Sequence, residues 1–80
     1  MQHEKYVLKA QENGQDIFII RDGRDGFTTT SVIDHERKEE IIPSFEAAEH
    51  HMNTLKRSAG YYPDLKNVDP NTITISRFAI

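Results

Sequence analysis

The stretch that decides the fold is residues 6–20, YVLKAQENGQDIFII, in which an Asn13-Gly14 step separates two apolar segments. Asn tolerates a positive φ and Gly adopts it freely, so this pair suits the two central positions of a type I′ turn. A two-residue turn also fixes which residues face each other across the antiparallel hairpin. The sequence therefore predicts both the hairpin and its register.

The expected cross-strand pairs alternate between the two faces of this hairpin. One face pairs Ala10 with Ile17, Leu8 with Ile19 and Tyr6 with Arg21; the other pairs Lys9 with Phe18 and Val7 with Ile20. Both faces are largely apolar, whereas the sequence offers one clear helix to cover them. Because one helix cannot cover both faces, we expect the second face to be a binding surface.

The helix is predicted from an apolar stripe with helical spacing. The stripe consists of Phe45, Ala48, Met52, Leu55 and Ala59. Ser44 is the expected N-cap, and Gly60 is the expected C′ residue at the other end. We expect this stripe to pack against the hairpin face that carries Leu8 and Ile19.

The remaining segments complete a predicted α+β domain that spans residues 1–80. A strand is expected from residue 27 to residue 33, and a short strand at residues 39–42, for which a helix over 35–42 is the alternative. A long connection over residues 61–71 precedes a closing strand at 72–76. The fold class is thus an antiparallel sheet of four to five strands, in chain order β-β-β-β-α-β, with one helix packed on one face.

Composition argues against several classes of protein. The chain has no Cys, which excludes disulfides and thiolate chemistry and agrees with a reducing compartment. No apolar run approaches the ~20 residues that span a bilayer, and the first residues do not resemble a signal peptide. We therefore expect a cytoplasmic protein without a membrane partner.

Catalytic and metal-binding motifs are not recognisable in this sequence. His50 and His51 are neighbours about 100° apart on a helix, whereas helical ligands of one ion lie three or four positions apart, as Glu46 and His50 do. The run Asp22-Gly23-Arg24-Asp25-Gly26 lacks the oxygen ligands of a calcium loop and is typical of a turn. The prediction is a non-enzymatic protein with no cofactor and no metal.

The predicted binding residues are apolar or aromatic. They are Val7, Phe18 and Ile20 on the second hairpin face, Phe78 and Ile80 after the closing strand, and Tyr61 and Tyr62 after the helix. Phe78 and Ile80 either extend the second face or are turned inward by a bulge. Of the two tyrosines, we expect one to pack on the helix end and one to stay free for contacts. The hypothesis is a protein-interaction module that binds another protein or forms a homodimer through this face.

The second half of the chain also resembles, in its style, small accessory proteins of bacteria and their phages. The resemblance rests on Val32-Ile33-Asp34, a charged loop, residues 41–49, and a tyrosine-proline loop before the closing strand. It identifies no family and assigns no residue a role. What it implies is a phage-type accessory protein that inhibits or modulates a host protein.

Two further hypotheses follow from charge. Residues 34–49 contain six carboxylates against two basic side chains, either as a solvated face or as a phosphate-like surface for a basic partner. The alternative function is nucleic-acid binding through the sheet, Tyr61, Tyr62, Arg21 and Arg24. The net charge of −3 and the scattered basic residues argue against it.

Overall fold

A computed structural model describes residues 5–23, 26–33, 36 and 41–78 of the 80-residue chain. The elements are β1 (Lys5–Glu12), β2 (Gln15–Asp22), β3 (Gly26–Thr30), α1 (Phe45–Ser58) and β4 (Val68–Phe78), with 3-10 turns at Ala59–Tyr61 and Pro63–Leu65. The strands form one antiparallel sheet in the order β3-β2-β1-β4. The prediction of an α+β fold with one helix on an antiparallel sheet is confirmed. No helix in the described ranges is long and apolar enough to cross a bilayer.

The turn between β1 and β2 has the geometry that its sequence predicts. Asn13 and Gly14 have φ angles of 53° and 81°, both in the left-handed region. The pairs Leu8–Ile19, Lys9–Phe18 and Ala10–Ile17 form in the expected register. The short-range prediction of the hairpin is thus confirmed.

Beyond Leu8 the hairpin departs from the prediction. The ladder between β1 and β2 ends at Leu8–Ile19, so the expected pairs of Tyr6 with Arg21 and Val7 with Ile20 do not form. Tyr6 instead forms an isolated antiparallel bridge with Ile42, with N···O distances of 2.9 Å from Tyr6 N–H to the Ile42 carbonyl and 2.8 Å from Ile42 N–H to the Tyr6 carbonyl. At Tyr6, β4 pairs with one edge of β1. Ile42 therefore pairs with the opposite edge, which β2 occupies only from Leu8 onward. Of the strand predicted at 39–42, residues 39 and 40 lie outside the described residues.

The first face of the sheet and the helix enclose the larger core. Its buried residues are Leu8, Ala10, Ile19, Leu55, Leu65, Val68 and Ile73, with Met52 and Ile75 among those packed at its border. The predicted helix stripe lies on this core, where Ala48 and Leu55 are fully buried. Phe45 is an exception: it is 49 % exposed and its ring meets the Tyr6 ring edge-on at 5.6 Å.

The two ends of α1 differ in how well the sequence predicts them. Ser44 is the N-cap, and its Oγ accepts a hydrogen bond of 3.1 Å from the backbone N–H of Ala47. The prediction of Gly60 as a left-handed C′ residue is wrong, because its φ lies outside the left-handed region. The chain continues from Ser58 into the 3-10 turn Ala59–Tyr61, which tightens the last turn instead of reversing it.

The second face of the sheet is covered at Val7 and Ile20, so the prediction that these two residues form an open surface is wrong. Val7 and Ile20 are only 2 % and 6 % exposed, because Ile33 and Ile41 pack against them. Phe18 lies at the border of this second cluster and is half-buried. Ile33 and Ile41 thus shield this part of the second face.

Strand β4 begins earlier than predicted and contains a bulge. Residues 69–74 of β4 lie opposite residues 9–11 of β1, so the longer side must bend outward. The Thr72 hydroxyl accepts a hydrogen bond from the Gln11 N–H at 2.9 Å and donates one to the Asp69 carbonyl at 2.6 Å. After the bulge the ladder is uninterrupted from Lys9–Thr74 to Lys5–Phe78. The backbone ladder thus has no second bulge between Thr74 and Phe78, and Ile80 lies outside the described residues.

Truncation of the larger core should be costly. Leu55 and Ile19 are 0 % and 2 % exposed, so Leu55→Ala and Ile19→Ala should each lower the free energy of unfolding by about 2–4 kcal/mol. Urea denaturation at constant pH measures the change. Lys56→Ala, at an exposed helix position, is the matched control and should remain within about 0.5 kcal/mol of the parent. Parent-like midpoints for either core variant would contradict the packing described.

Two substitutions in the hairpin turn should differ in their effect on the free energy of unfolding. Gly14→Val should lower the free energy of unfolding by about 1–3 kcal/mol, because a β-branched residue resists the φ of 81° found there. Asn13→Asp should be mild, since Asp tolerates the left-handed region. Thermal unfolding of both variants tests the ordering, and equal midpoints would argue against a type I′ turn.

Candidate functional site

A groove runs along one flank of α1. The helix packs mainly on β4 and β1, so the first face of β2 and β3 extends beyond it. Two clefts occupy this space and adjoin each other, since Arg21 and His51 line both. We call the two clefts together the helix groove.

The two clefts differ in lining. The larger, of about 540 Å³, is bordered mostly by apolar residues: Ile41, Ile42, Pro43 and Ala47, with Gly23, Arg21 and His51. The smaller, of about 250 Å³, is bordered by Gly26, Phe27, His50, Thr54 and Tyr62, again with Arg21 and His51. The groove thus has an apolar end and a polar, aromatic end. Its described lining contains no carboxylate.

The helix contributes its share of the groove through a second stripe beside the core stripe. His50 and His51 lie three and four residues after Ala47, and four and three residues before Thr54, so these residues share one flank of α1. The sequence shows this spacing, but the flank of Ala, His and Thr lacks the apolar repeat by which a buried helix face is recognised. Sequence reasoning treated His50 and His51 separately and missed the flank that they share.

Aromatic packing fixes the polar end of the groove. The Phe27 ring meets the His51 ring edge-on at a centroid distance of 5.7 Å and the Tyr62 ring at 5.2 Å. Edge-to-face pairs at these distances are favourable and orient the rings. His51 therefore packs beside the core, as predicted, and also borders the groove.

Electrostatics favour the neutral form of His51. Burial, the neighbouring Arg21 guanidinium and the His50 imidazole, in that order, lower the pKa of His51 below its ordinary value of 6.5. A proton on His51 would add a second positive charge beside Arg21 in a partly dry site. Arg21 and the two histidines thus lie together where the two clefts adjoin.

The predicted binding residues do not form one surface. Val7 and Ile20 are buried, and Phe18 is half-buried beside them. Tyr61 is 85 % exposed, whereas Tyr62 packs on Phe27 of β3 and borders the groove. One tyrosine is thus exposed and one packed, but the ring contact of the packed one is with β3 and not with the helix end, where it was predicted. Tyr62 is thus the predicted protein-binding residue that the structure brings to the groove. Phe27 and His51 were not predicted as binding residues, and Arg21 was predicted only for the alternative of nucleic-acid binding.

Other candidate features give no site in the described chain. Within the described residues, no group of three or more His, Asp or Glu side chains could hold a metal ion. Of the acidic segment, Glu36, Glu46 and Glu49 are described, and all are exposed. Asp34, Glu39 and Glu40 lie outside the described residues.

Comparison with known proteins gives no functional information. No protein-family model, no curated protein and no solved structure matches the chain.

The lowered pKa of His51 should make stability depend on pH. Below pH 6.5 the unfolded chain binds this proton more readily than the folded chain, so the free energy of unfolding should fall as pH decreases from about 7 to about 5. His51→Gln should flatten this decrease, and Asn53→Gln, on the exposed side of α1, should retain it. Urea denaturation across that pH range measures both. An unchanged pH dependence in His51→Gln would contradict the environment described for His51.

Proposed function

We propose that the protein is a cytoplasmic, non-enzymatic protein-interaction module that binds a segment of a partner protein in the helix groove. The observation that carries the proposal is the groove itself, which combines an apolar end with a cationic and aromatic end on so small a domain. Binding sites in proteins combine these properties: apolar area for affinity and a few placed polar groups for orientation.

The walls of the groove support binding because they are fixed by the fold. Ile42 is held by both backbone hydrogen bonds to Tyr6, and Ala47 lies in the first turn of α1, capped by Ser44. Phe27 is clamped between two other rings. A preformed site loses little conformational entropy when it binds, which favours affinity for a given contact area.

Exposed aromatic residues add contact area next to this site along the chain. Tyr61 precedes Tyr62, and Phe45 precedes Ala47 by half a helical turn. Tyr and Phe are enriched at protein interfaces. Together with the groove, these two side chains offer a partner a larger surface than the clefts alone.

The lining gives little support to catalysis. A histidine that acts as a general base is commonly oriented by a third group, usually a carboxylate, and none is found in the described lining. The hydroxyls of Thr54 and Tyr62 therefore serve as binding groups in this proposal. Modulation or inhibition of the partner, as in phage-type accessory proteins, would follow from occupying a segment that the partner uses elsewhere.

Two alternatives have less support. Self-association through Val7 and Ile20 would need an apolar surface that Ile33 and Ile41 already cover. Nucleic-acid binding by base stacking would need open rings, and Tyr62 is packed edge-on against Phe27, which leaves Tyr61.

Selection from a displayed library of random twelve-residue peptides tests the proposal. We expect the immobilised parent protein to enrich peptides that Ala47→Gln fails to retain, because the longer side chain fills the apolar end of the groove. Asn53→Gln makes a Gln substitution of the same kind at an exposed position and should retain them. Circular dichroism confirms that both variants are folded. No enrichment by the parent, or equal retention by both variants, would refute binding in the groove.

A further inference from the structure

We propose that Asn13 is a modification site, which converts to iso-aspartate when the hairpin tip opens and is protected by the type I′ turn while the tip is closed. The hairpin tip consists of residues 11–16, and Asn13 and Gly14 at its centre are both exposed. The reaction needs only water, and the proposal is independent of the helix groove.

The reaction is intramolecular. In the open chain, the backbone nitrogen of Gly14 attacks Cγ of the Asn13 side chain and closes a succinimide ring, while the proton of that N–H leaves with the side-chain nitrogen as ammonia. Water then adds to either ring carbonyl. Cleavage of the Cγ–N bond gives an ordinary aspartate, and cleavage at the α-carbonyl gives iso-aspartate, whose chain runs through Cβ and Cγ. Nothing is oxidised or reduced.

The sequence makes Asn13 the most reactive asparagine. Gly14 has no side chain to crowd the attacking nitrogen, and even a Cβ placed there would meet no atom within 4 Å. The other asparagines of the chain precede β-branched residues, which are bulky next to that nitrogen: Asn53-Thr54, Asn67-Val68 and Asn71-Thr72. In an unfolded chain, conversion should therefore be concentrated at Asn13.

The closed turn holds the reacting atoms apart. Asn13 and Gly14 have φ angles of 53° and 81°, as type I′ requires, and in such a turn ψ of the first central residue is about +30°. At this ψ, the Gly14 nitrogen and the Cβ of Asn13 point to opposite sides of the Cα–C bond, whereas the succinimide needs them on the same side. Rotation to the reactive geometry therefore breaks the turn.

The hairpin tip can open without opening the larger core. The pairs nearest the turn are Glu12–Gln15 and Gln11–Asp16, and the Gln11 side-chain amide donates to the Asp16 carboxylate at 3.2 Å. All of these residues are exposed or half-buried, and the buried core begins at Ala10. Exposed ends of this kind open by local fluctuation at a small cost in free energy.

Conversion to iso-aspartate should prevent the turn from closing again. Iso-aspartate adds a carbon atom to the backbone between the two strands, so the connection no longer has the type I′ geometry that sets the register. Its carboxylate also adds a negative charge near Glu12 and Asp16. Converted molecules therefore accumulate with each opening of the hairpin tip and are less stable than the parent.

Incubation of the full chain in mildly alkaline buffer, folded and in guanidinium chloride, tests the proposal. Mass spectrometry of proteolytic peptides measures the conversion of each asparagine to the acid. In guanidinium chloride, Asn13 should convert about tenfold or more faster than the other asparagines, and Gly14→Ala should remove most of this difference. In the folded chain, the conversion of Asn13 should be slower by a similar factor.

The possible results are decisive for each part of the proposal. Equal rates at Asn13 in the folded and unfolded chains would overturn protection by the turn. An unfolded chain in which Asn13 converts no faster than Asn53 would overturn the site itself.

A last measurement tests the effect of the product. The iso-aspartyl form, isolated by ion exchange, should unfold at a lower urea concentration than Asn13→Asp, which carries the same charge on a backbone of normal length. Equal midpoints would show that the turn tolerates iso-aspartate and would overturn its loss on conversion.

Discussion

The two backbone hydrogen bonds between Tyr6 and Ile42 determine how this chain is layered. They hold the segment before α1 against the start of β1, where β1 and β2 are no longer paired. Because neighbouring residues of an extended segment face opposite ways, Ile42 packs against the larger core while Ile41 enters the cluster of Val7 and Ile20. One bridge thus connects the two cores, closes the second face of the sheet and places the start of the helix.

The same bridge builds the groove. The helix begins three residues after Ile42, so its first turn is held beside the end of β2. Because α1 packs mainly on β4 and β1, Arg21 and Phe27 lie beside its flank, where Phe27 contacts His51, and both residues line the groove. The groove is therefore a result of where the helix is anchored.

Local signals in the sequence were sufficient for the hairpin and for the start of the helix. Asn13-Gly14 fixes the register, and Ser44 fixes the first turn of α1, because each acts through neighbours within a few residues. The bridge of Tyr6 to Ile42 spans much of the chain and leaves no periodic pattern. Leu65 and Val68 were assigned to a loop for a similar reason, since two isolated apolar residues do not reveal that both are buried.

The candidate site was harder to predict than the fold. The sequence showed that the hairpin has two apolar faces, but not that Ile33 and Ile41 would cover the second one. The groove, by contrast, is assembled from β2, β3, α1 and the segment after it, and each contributes polar or aromatic residues that look unremarkable in isolation. These residues form a site only because the fold brings the four segments together.

The bulge in β4 changes the edge that the sheet presents to another extended chain. An eleven-residue strand at the border of a sheet would normally offer a long row of unpaired backbone groups to any other extended chain. The Thr72 hydroxyl takes the place of a backbone partner for Gln11 and bends β4 near its middle. The bulge thus interrupts the row of backbone groups along β4, so the edge strand is not one continuous, flat template for strand addition.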